Sequence, residues 1–395
     1  MQNVLMGSLG IPDSVLARAR RVAHDISRRA AHLGGAVSVD ADEILTGRAA
    51  LLRLAPAGRI SAGGSTRLLS NRDGWCALTL SRVDDVETVP ALLELTEQPA
   101  DPWAALAAAA ADRDAAEFVA RARLLDLPAA VLGEVAAAPP RFVPSGHRAV
   151  RAVSELLVAD LSSMWAGPLC GHLLATAGAT VVKVEGRSRV DGTRAGHPAF
   201  FDWMNSSKLS YAINFGDDEL RPLLEAADVV IEGSRPAALG RRGLGPEQVR
   251  GRPGRVWLRV TGYGVEGERA DRVAFGDDAA VAGGLVGAAY TMSAEGSADA
   301  RSEGASSPVF VGDAIADPLT GLEATRAVLD ALGRGGGETV EIALAEVAAS
   351  YATQPLTAPT VDEPPRIPTP PSPAAALGTD NSRVRELIEA RLAAC

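Results

Sequence analysis

Between residues 156 and 260 the chain repeats one local pattern, a short apolar run followed by a stretch with helical spacing. Residues 156–160 (Leu-Leu-Val-Ala-Asp), 179–185, 210–214, 229–231 and 256–260 read as strands, and residues 167–177 and 219–226 as helices. Strands that alternate with helices must run parallel, because each helix carries the chain back across the sheet. The fold class expected is therefore α/β, a doubly wound Rossmann-like parallel sheet in a large domain. In such sheets ligands gather at the carboxyl ends of the strands, where loops and helix N-termini collect.

The flanks differ from this repeat. Residues 1–137 read as a smaller α+β domain: helices over 1–48, strands at 51–54 and 75–80, then helices again over 84–137. Asp73-Gly74 before the second strand is a hairpin signal, and Gly63-Gly64 marks a loop through which backbone can approach a ligand closely. A Pro-Pro-Arg-Phe-Val-Pro run makes 138–150 the expected linker to the large domain, 151–353. Residues 354–374 are a proline-rich crossing segment expected to lack regular structure, and 375–395 carry a last helix expected to dock on the large domain.

A net charge of −10 argues against a nucleic-acid groove. Cys76, Cys170 and Cys395 have no metal-ligand spacing, so no metal site is expected, and scattered thiols suit a reducing compartment. No basic stretch leads into an apolar core at the N-terminus and no apolar run approaches the ~20 residues of a membrane span, so a cytoplasmic protein with no membrane partner is expected. Arg187, Arg189, Arg194, Lys208, Arg235, Arg241 and Arg242 recur after successive strands. Single surface cations are ordinary, but several on one sheet edge suit phosphates. No Gly-x-Gly-x-x-Gly follows the first strand and no Gly-Lys-Ser/Thr loop is present, which disfavours a dinucleotide or ATP site of the usual kind.

Asp317 stands where an apolar run at 309–311 gives way to a helix over 319–332. Followed by Pro318, it has the ordinary reading of a helix cap. Asp313, four residues earlier, reads as structural.

Several segments together resemble the class III CoA-transferases, the family of formyl-CoA transferase, carnitine CoA-transferase and α-methylacyl-CoA racemase. They are Ala166-Gly167-Pro168, the run from Gly178 to Glu185, Asp191-Gly192-Thr193-Arg194, Asn205-Ser206-Ser207-Lys208, Arg235-Pro236, Gly243-Leu244-Gly245, Thr261-Gly262-Tyr263-Gly264 and Asp317-Pro318-Leu319-Thr320-Gly321. The N-terminal part resembles the family's smaller domain and its glycine loop, which normally follow the large sheet. The chain therefore reads as a permuted version with the small domain in front.

The resemblance implies an acyl-CoA:carboxylate CoA-transferase in which Asp317 is the nucleophile, forming a mixed anhydride and then an aspartyl-CoA thioester. Gly63 and Gly64 would fold over the site and exclude water, and N–H groups at Leu319 and Thr320 would stabilise the oxyanion. Coenzyme A enters as substrate, with Lys208, Arg187 and Arg241 near its phosphates, Arg235 counted with them, and Trp165 and Ala166 beside the pantetheine or adenine. Acyl-CoA and a carboxylic acid acceptor are the implied partners, and a homodimer the implied assembly. Racemase, isomerase or dehydratase chemistry is the alternative within the family. The racemase branch uses a Gly-His-Asp segment, and here the residues are Gly276-Asp277-Asp278, so Asp277 is left as a candidate acid or base. A CoA-binding or scaffolding protein without activity is the alternative outside enzymology.

Overall fold

A computed structural model describes residues 9–215, 218–289, 307–352 and 366–394. The N-terminal part opens with α1 (Asp13–His32) and α2 (Ala41–Leu52), the second capped by Asp40, which accepts from the N–H groups of Asp42 and Glu43. The strand expected at 51–54 is instead the end of α2 and a turn through Arg53, whose φ of 55° is left-handed. The hairpin β1 (Thr66–Ser70) and β2 (Trp75–Thr79) forms around Asp73-Gly74. Beyond it come α3 (Val83–Glu87), α4 (Val89–Leu93), α5 (Pro102–Ala111) and α6 (Ala115–Leu124). The stretch expected to be helical to 137 then yields β3 (Ala129–Val131), antiparallel to β2. Leu78, Leu92, Leu106 and Phe118 close the core of this part.

The expected linker contains a strand, β4 (Arg141–Pro144), which pairs antiparallel with the far edge of the main sheet. Its prolines fit because an edge strand leaves part of its N–H row unpaired. The chain continues through β5 (Leu157–Asp160), α7 (Ala166–Thr176), β6 (Thr180–Gly186), α8 (Pro198–Asn205), β7 (Leu209–Ile213) and α9 (Leu220–Ala226). It reverses through β8 (Val229–Glu232), α10 (Ala237–Gly240), β9 (Val256–Thr261) and α11 (Gly276–Ala282). After the small pair β10 (Gly287–Ala289) and β11 (Ser307–Val309) come α12 (Ala316–Gly333), β12 (Glu338–Ala343) and α13 (Leu344–Tyr351).

The 7-stranded sheet has the order β4-β12-β9-β8-β5-β6-β7. Apart from β4 its strands are parallel, so the chain winds outward from β5 one way through β6 and β7 and the other way through β8, β9 and β12. This is the doubly wound α/β arrangement, and its switch point lies between β5 and β8. Leu169, Leu173, Leu319 and Leu322 bury α7 and α12 on one face, joined by Ile26 of α1, while Tyr211, Leu223 and Trp257 fill the other.

The expected proline-rich segment lies partly outside the described residues; residues 366–374 have no regular structure. Cys395 lies outside as well, while Cys76 and Cys170 are free and buried. Helix α14 (Asn381–Ala393) covers the open edge of β7: Ser210 N–H donates to Asp380 Oδ2 at 2.8 Å, and Ala212 N–H to Asn381 Oδ1 at 2.9 Å. Val384 and Ile388 anchor the helix in the core. Among the described residues no helix is long and apolar enough to cross a membrane, and no group of His, Cys, Asp or Glu has the arrangement of a metal site.

Candidate active site

Asp317 lies in the first turn of α12, yet its carboxylate does not cap that helix: Ile315 holds the cap position without a side-chain bond. The ordinary reading of Asp317 as a cap is therefore corrected. Its own N–H is spent on Ala314 O at 2.9 Å, and its carboxylate lies instead against Gly276 at the start of α11, whose backbone amide favours the ionised form. That approach depends on glycine, because a Cβ at Gly276 would collide with Ala314 O and Asp317 Oδ2. The expected oxyanion donor at Leu319 is likewise corrected, since its N–H bonds Ile315 O at 3.4 Å.

The turn before α12 is shaped for this presentation. Gly312 and Ala314 both have positive φ, 68° and 43°. For alanine the left-handed region costs roughly 1–2 kcal/mol, and Asp277 Oδ1 offsets it by accepting from Ala314 N–H at 3.0 Å. Further along, Gly321 lets α12 press on α7; a Cβ there would meet Leu169 Cδ2 at 2.6 Å and Ala166 O at 2.9 Å. Gly321 thus sets the depth at which Asp317 stands.

Four carboxylates crowd this place, and their protons reflect it. Burial pushes Asp317 up to about 7, with Arg48 opposing and Asp277 and Asp313 adding to the rise. Burial, then Asp313, pushes Asp277 up to about 6, opposed by a hydrogen bond from Ser61. Asp278 is pushed up to about 8, mainly by burial. Its Oδ1 accepts from Phe275 N–H at 2.8 Å and from Thr79 Oγ1 at 3.3 Å, while Oδ2 has no partner. Burial also raises Asp313, against the pull of Arg48.

The glycine loop belongs to this neighbourhood. Ser61 and Thr66, which bracket Gly63-Gly64, both reach Asp277, Thr66 Oγ1 at 3.5 Å. Gly63 and Gly64 are exposed at the loop tip. The N-terminal part, the glycine loop and the Asp317 turn therefore meet within one chain.

The other expected residues are placed differently. Lys208 does not face solvent phosphates: its Nζ is buried and donates to Asp160 Oδ2 and Pro168 O, each at 2.8 Å. Trp165 and Ala166 are enclosed rather than lining an open groove; Trp165 meets Phe200 edge to face, 5.4 Å between ring centroids. Arg187 and Arg241 are exposed, and Arg235 pairs with Asp126 at 3.1 Å, all at the carboxyl side of the sheet. Arg48, absent from the sequence-based set, is brought to the site by α2. Its partner Asp313 lies 265 residues away, and no local pattern signals such a pairing.

Residues 153–376 match the family model described as CoA-transferase family III, more than half of the chain. A succinyl-CoA–D-citramalate CoA-transferase of Chloroflexus aurantiacus is 30% identical over 218 residues, 51% of this chain and 51% of that protein. A succinate–glutarate CoA-transferase of Agrobacterium fabrum is 31% identical over 217 residues, 49% of this chain and 51% of that protein. The chain spans about half the length of the curated relatives it matches. A crystal structure of a CAIB/BAIF family protein from Brucella suis aligns with 52% of this chain and 55% of its own, at 27% identity and a TM-score of 0.42.

Proposed function

The chain belongs to CoA-transferase family III, and from that membership we propose that it moves coenzyme A from an acyl-CoA thioester to a carboxylic acid, with Asp317 as the nucleophile that holds coenzyme A between donor and acceptor. The observation that carries this reading is the use of the Asp317 carboxylate: it does not cap its helix, it lies against Gly276, and its neighbour Asp277 meets Ser61 and Thr66 on either side of the glycine loop. A carboxylate suits such work because its anhydride and thioester keep the energy of the incoming thioester bond.

In this proposal an Asp317 oxygen attacks the thioester carbonyl and the CoA thiolate leaves, giving a mixed anhydride. The thiolate then attacks the aspartyl carbonyl, releasing the donor acid as carboxylate and leaving an aspartyl-CoA thioester. The acceptor carboxylate reverses both steps. In this reading Gly276 N–H would hold the aspartyl oxygen, and Gly63-Gly64 would limit water at the intermediates. Exposed Arg187 and Arg241, with Arg235, are proposed for the CoA phosphates, which a planar guanidinium binds bidentately. Succinyl-CoA is the donor to try first, since both relatives carry succinyl or succinate in their names. A homodimer completes the proposal, and light scattering showing a monomer at micromolar protein would remove it.

Incubation with succinyl-CoA and hydroxylamine tests the chemistry. The wild type should yield a hydroxamate or covalent adduct at Asp317, and Asp317→Asn none. No adduct from the wild type with any acyl-CoA would leave a binding or scaffolding protein. A second reading, α-proton transfer between Asp277 and Asp317, is favoured by the raised proton affinity of both carboxylates. Scrambling of α-deuterium without CoA exchange would select it.

A further inference from the structure

Arg48 meets the Asp317 site from α2, in the N-terminal part of the chain. Its Nη1 donates to Asp313 Oδ1 at 2.5 Å, and its side chain is only 23% exposed. The guanidinium carbon lies 5.5 Å from the Trp165 ring centroid and 5.4 Å from that of Phe200. A planar, permanently charged group held between a carboxylate and two ring faces has little freedom to turn away. The backbone is equally fixed: at Gly47, one residue earlier, a Cβ would meet Pro368 Cγ at 2.5 Å and Trp203 at 2.8 Å, so α2 is pressed onto its neighbours.

The leading charges on Asp317 are Arg48 on one side and Asp277 and Asp313 on the other. The other charged groups on elements packed against α12 are engaged elsewhere. Arg18 and Arg29 of α1 bind Glu323 and Asp330 further along the helix, Arg259 of β9 and Glu341 of β12 pair with each other, and Glu338 of β12 pairs with Arg334. Those elements also carry Asp13, Arg20, Arg21, His24, Asp25, Arg28 and His32 on α1, Asp42 and Glu43 on α2, Cys170 and His172 on α7, and Glu346 and Tyr351 on α13, none of them among the leading charges on Asp317. Asp278 of α11 is bound to Phe275 and Thr79.

We propose that Arg48 is a positioning residue of the Asp317 site, a fixed cation pinned on Asp313 and stacked on Trp165 and Phe200 so that its charge holds the Asp317 carboxylate ready to react. The catalytic consequence rests on the reading of Asp317 as the nucleophile, but the charge coupling is measurable without it. A cation lost from such a site moves a carboxylate midpoint by roughly 1–3 pH units.

The test is a 13C NMR titration of protein labelled at the aspartate side-chain carboxyl, with Asp317→Asn assigning the signal. Arg48→Met should raise the Asp317 midpoint by at least about one pH unit, Arg48→Lys should stay near the wild type, and Asp313→Asn should lower it. A contact that merely joins two parts of the chain would not give opposite shifts on losing either partner. In steady-state assays Arg48→Met should lower kcat near neutral pH, with recovery at higher pH and KM for acyl-CoA little changed. If Arg48→Met fails to fold, Asp313→Asn carries the test. A folded Arg48→Met with an unmoved Asp317 midpoint, or an Asp313→Asn that leaves it in place, overturns the proposal. If the shifts appear while no acyl adduct forms at any pH, the transfer reading falls and the assignment of Arg48 is upheld.

Discussion

At the carboxyl ends of β5 and β6 the chain encloses charges in matched pairs, whereas at the start of α12 it encloses carboxylates in excess. Asp160 holds Lys208 at 2.8 Å, Lys183 holds Asp191 at 2.7 Å, and Glu185 holds Arg194 at 2.6 Å. Burial alone would raise Asp160 and Asp191, but Lys208 and Lys183 outweigh it and both carboxyls lie below their ordinary range. At α12 burial acts in the same direction, with Arg48 the one leading cation against it, so Asp317 rises to about 7. Desolvation acts in the same direction at both places but ends in opposite titration, and the count of counter-ions decides the sign. The first cluster fixes the loops around the switch point, joining Ser162, Met164 and Thr193 to Asp160 and Asp191. The second keeps carboxylates near neutrality, where they can exchange charge during a reaction.

The largest effects should come from unbalancing each cluster. Lys208→Met leaves Asp160 buried without its cation and should cost ~3–5 kcal/mol in urea denaturation. Asp317→Asn removes a charge from an excess, so its denaturation midpoint should not fall although the hydroxylamine-trapped adduct disappears. A loss below ~1 kcal/mol for Lys208→Met, the level of an exposed pair, would break the distinction between the two clusters.

A smaller effect concerns pH. Asp278 is raised from 3.8 to about 8, so the folded protein keeps a proton that the unfolded chain releases across that window. Its contribution to stability is complete below 3.8 and is lost as pH rises towards 8. Asp160 and Asp191 are lowered, so their contribution is present above 3.8 and is lost as pH falls below it. Stability measured by denaturant from pH 4 to 8 should therefore decline less steeply in Asp278→Asn than in the wild type. An identical slope would mean that Asp278 is ionised in the folded protein, and the excess of carboxylates would not govern its proton.

Sequence alone made the sheet legible, because β5, β6, β8 and β9 are apolar runs separated by helical spacing and need no distant information. The pairing of β4 was hidden by its prolines, which signal a linker unless the strand lies at an edge. Residues 51–54 misled because three leucines around Arg53 fit a strand as well as the last turn of a helix. Lys208 read as a phosphate ligand because nothing local shows that its side chain reaches Asp160, 48 residues earlier. Asp317 was picked out by the order of family segments, while its release from capping and its hold on Gly276 arise only when α11 and α12 meet. Arg48 follows the same rule: its role exists through Asp313, Trp165 and Phe200, none of which is near it in sequence.

Glycines give the finest contrast between the clusters. A Cβ at Gly171 would meet Asp160 Oδ2 at 2.8 Å and Lys208 Nζ at 3.0 Å, so that glycine belongs to the packing of the matched pairs. At Gly63 and Gly64 a Cβ would meet nothing within 4 Å, and only Gly64, with φ of 76°, has a conformation that strains other residues. Gly64 N–H bonds Ser61 O at 2.9 Å, which closes the turn beside the Asp277 contact. Gly64→Ala should therefore cost only ~1 kcal/mol, and Gly63→Ala almost nothing, in thermal or urea unfolding. If the loop limits water at the Asp317 intermediates, Gly64→Ala should still lower the ratio of CoA transfer to thioester hydrolysis, because loop shape matters more to exclusion than to stability. An unchanged ratio in a variant with the expected small stability loss would assign the loop to holding Asp277 through Ser61, and the site would have to exclude water by the burial of α12 alone.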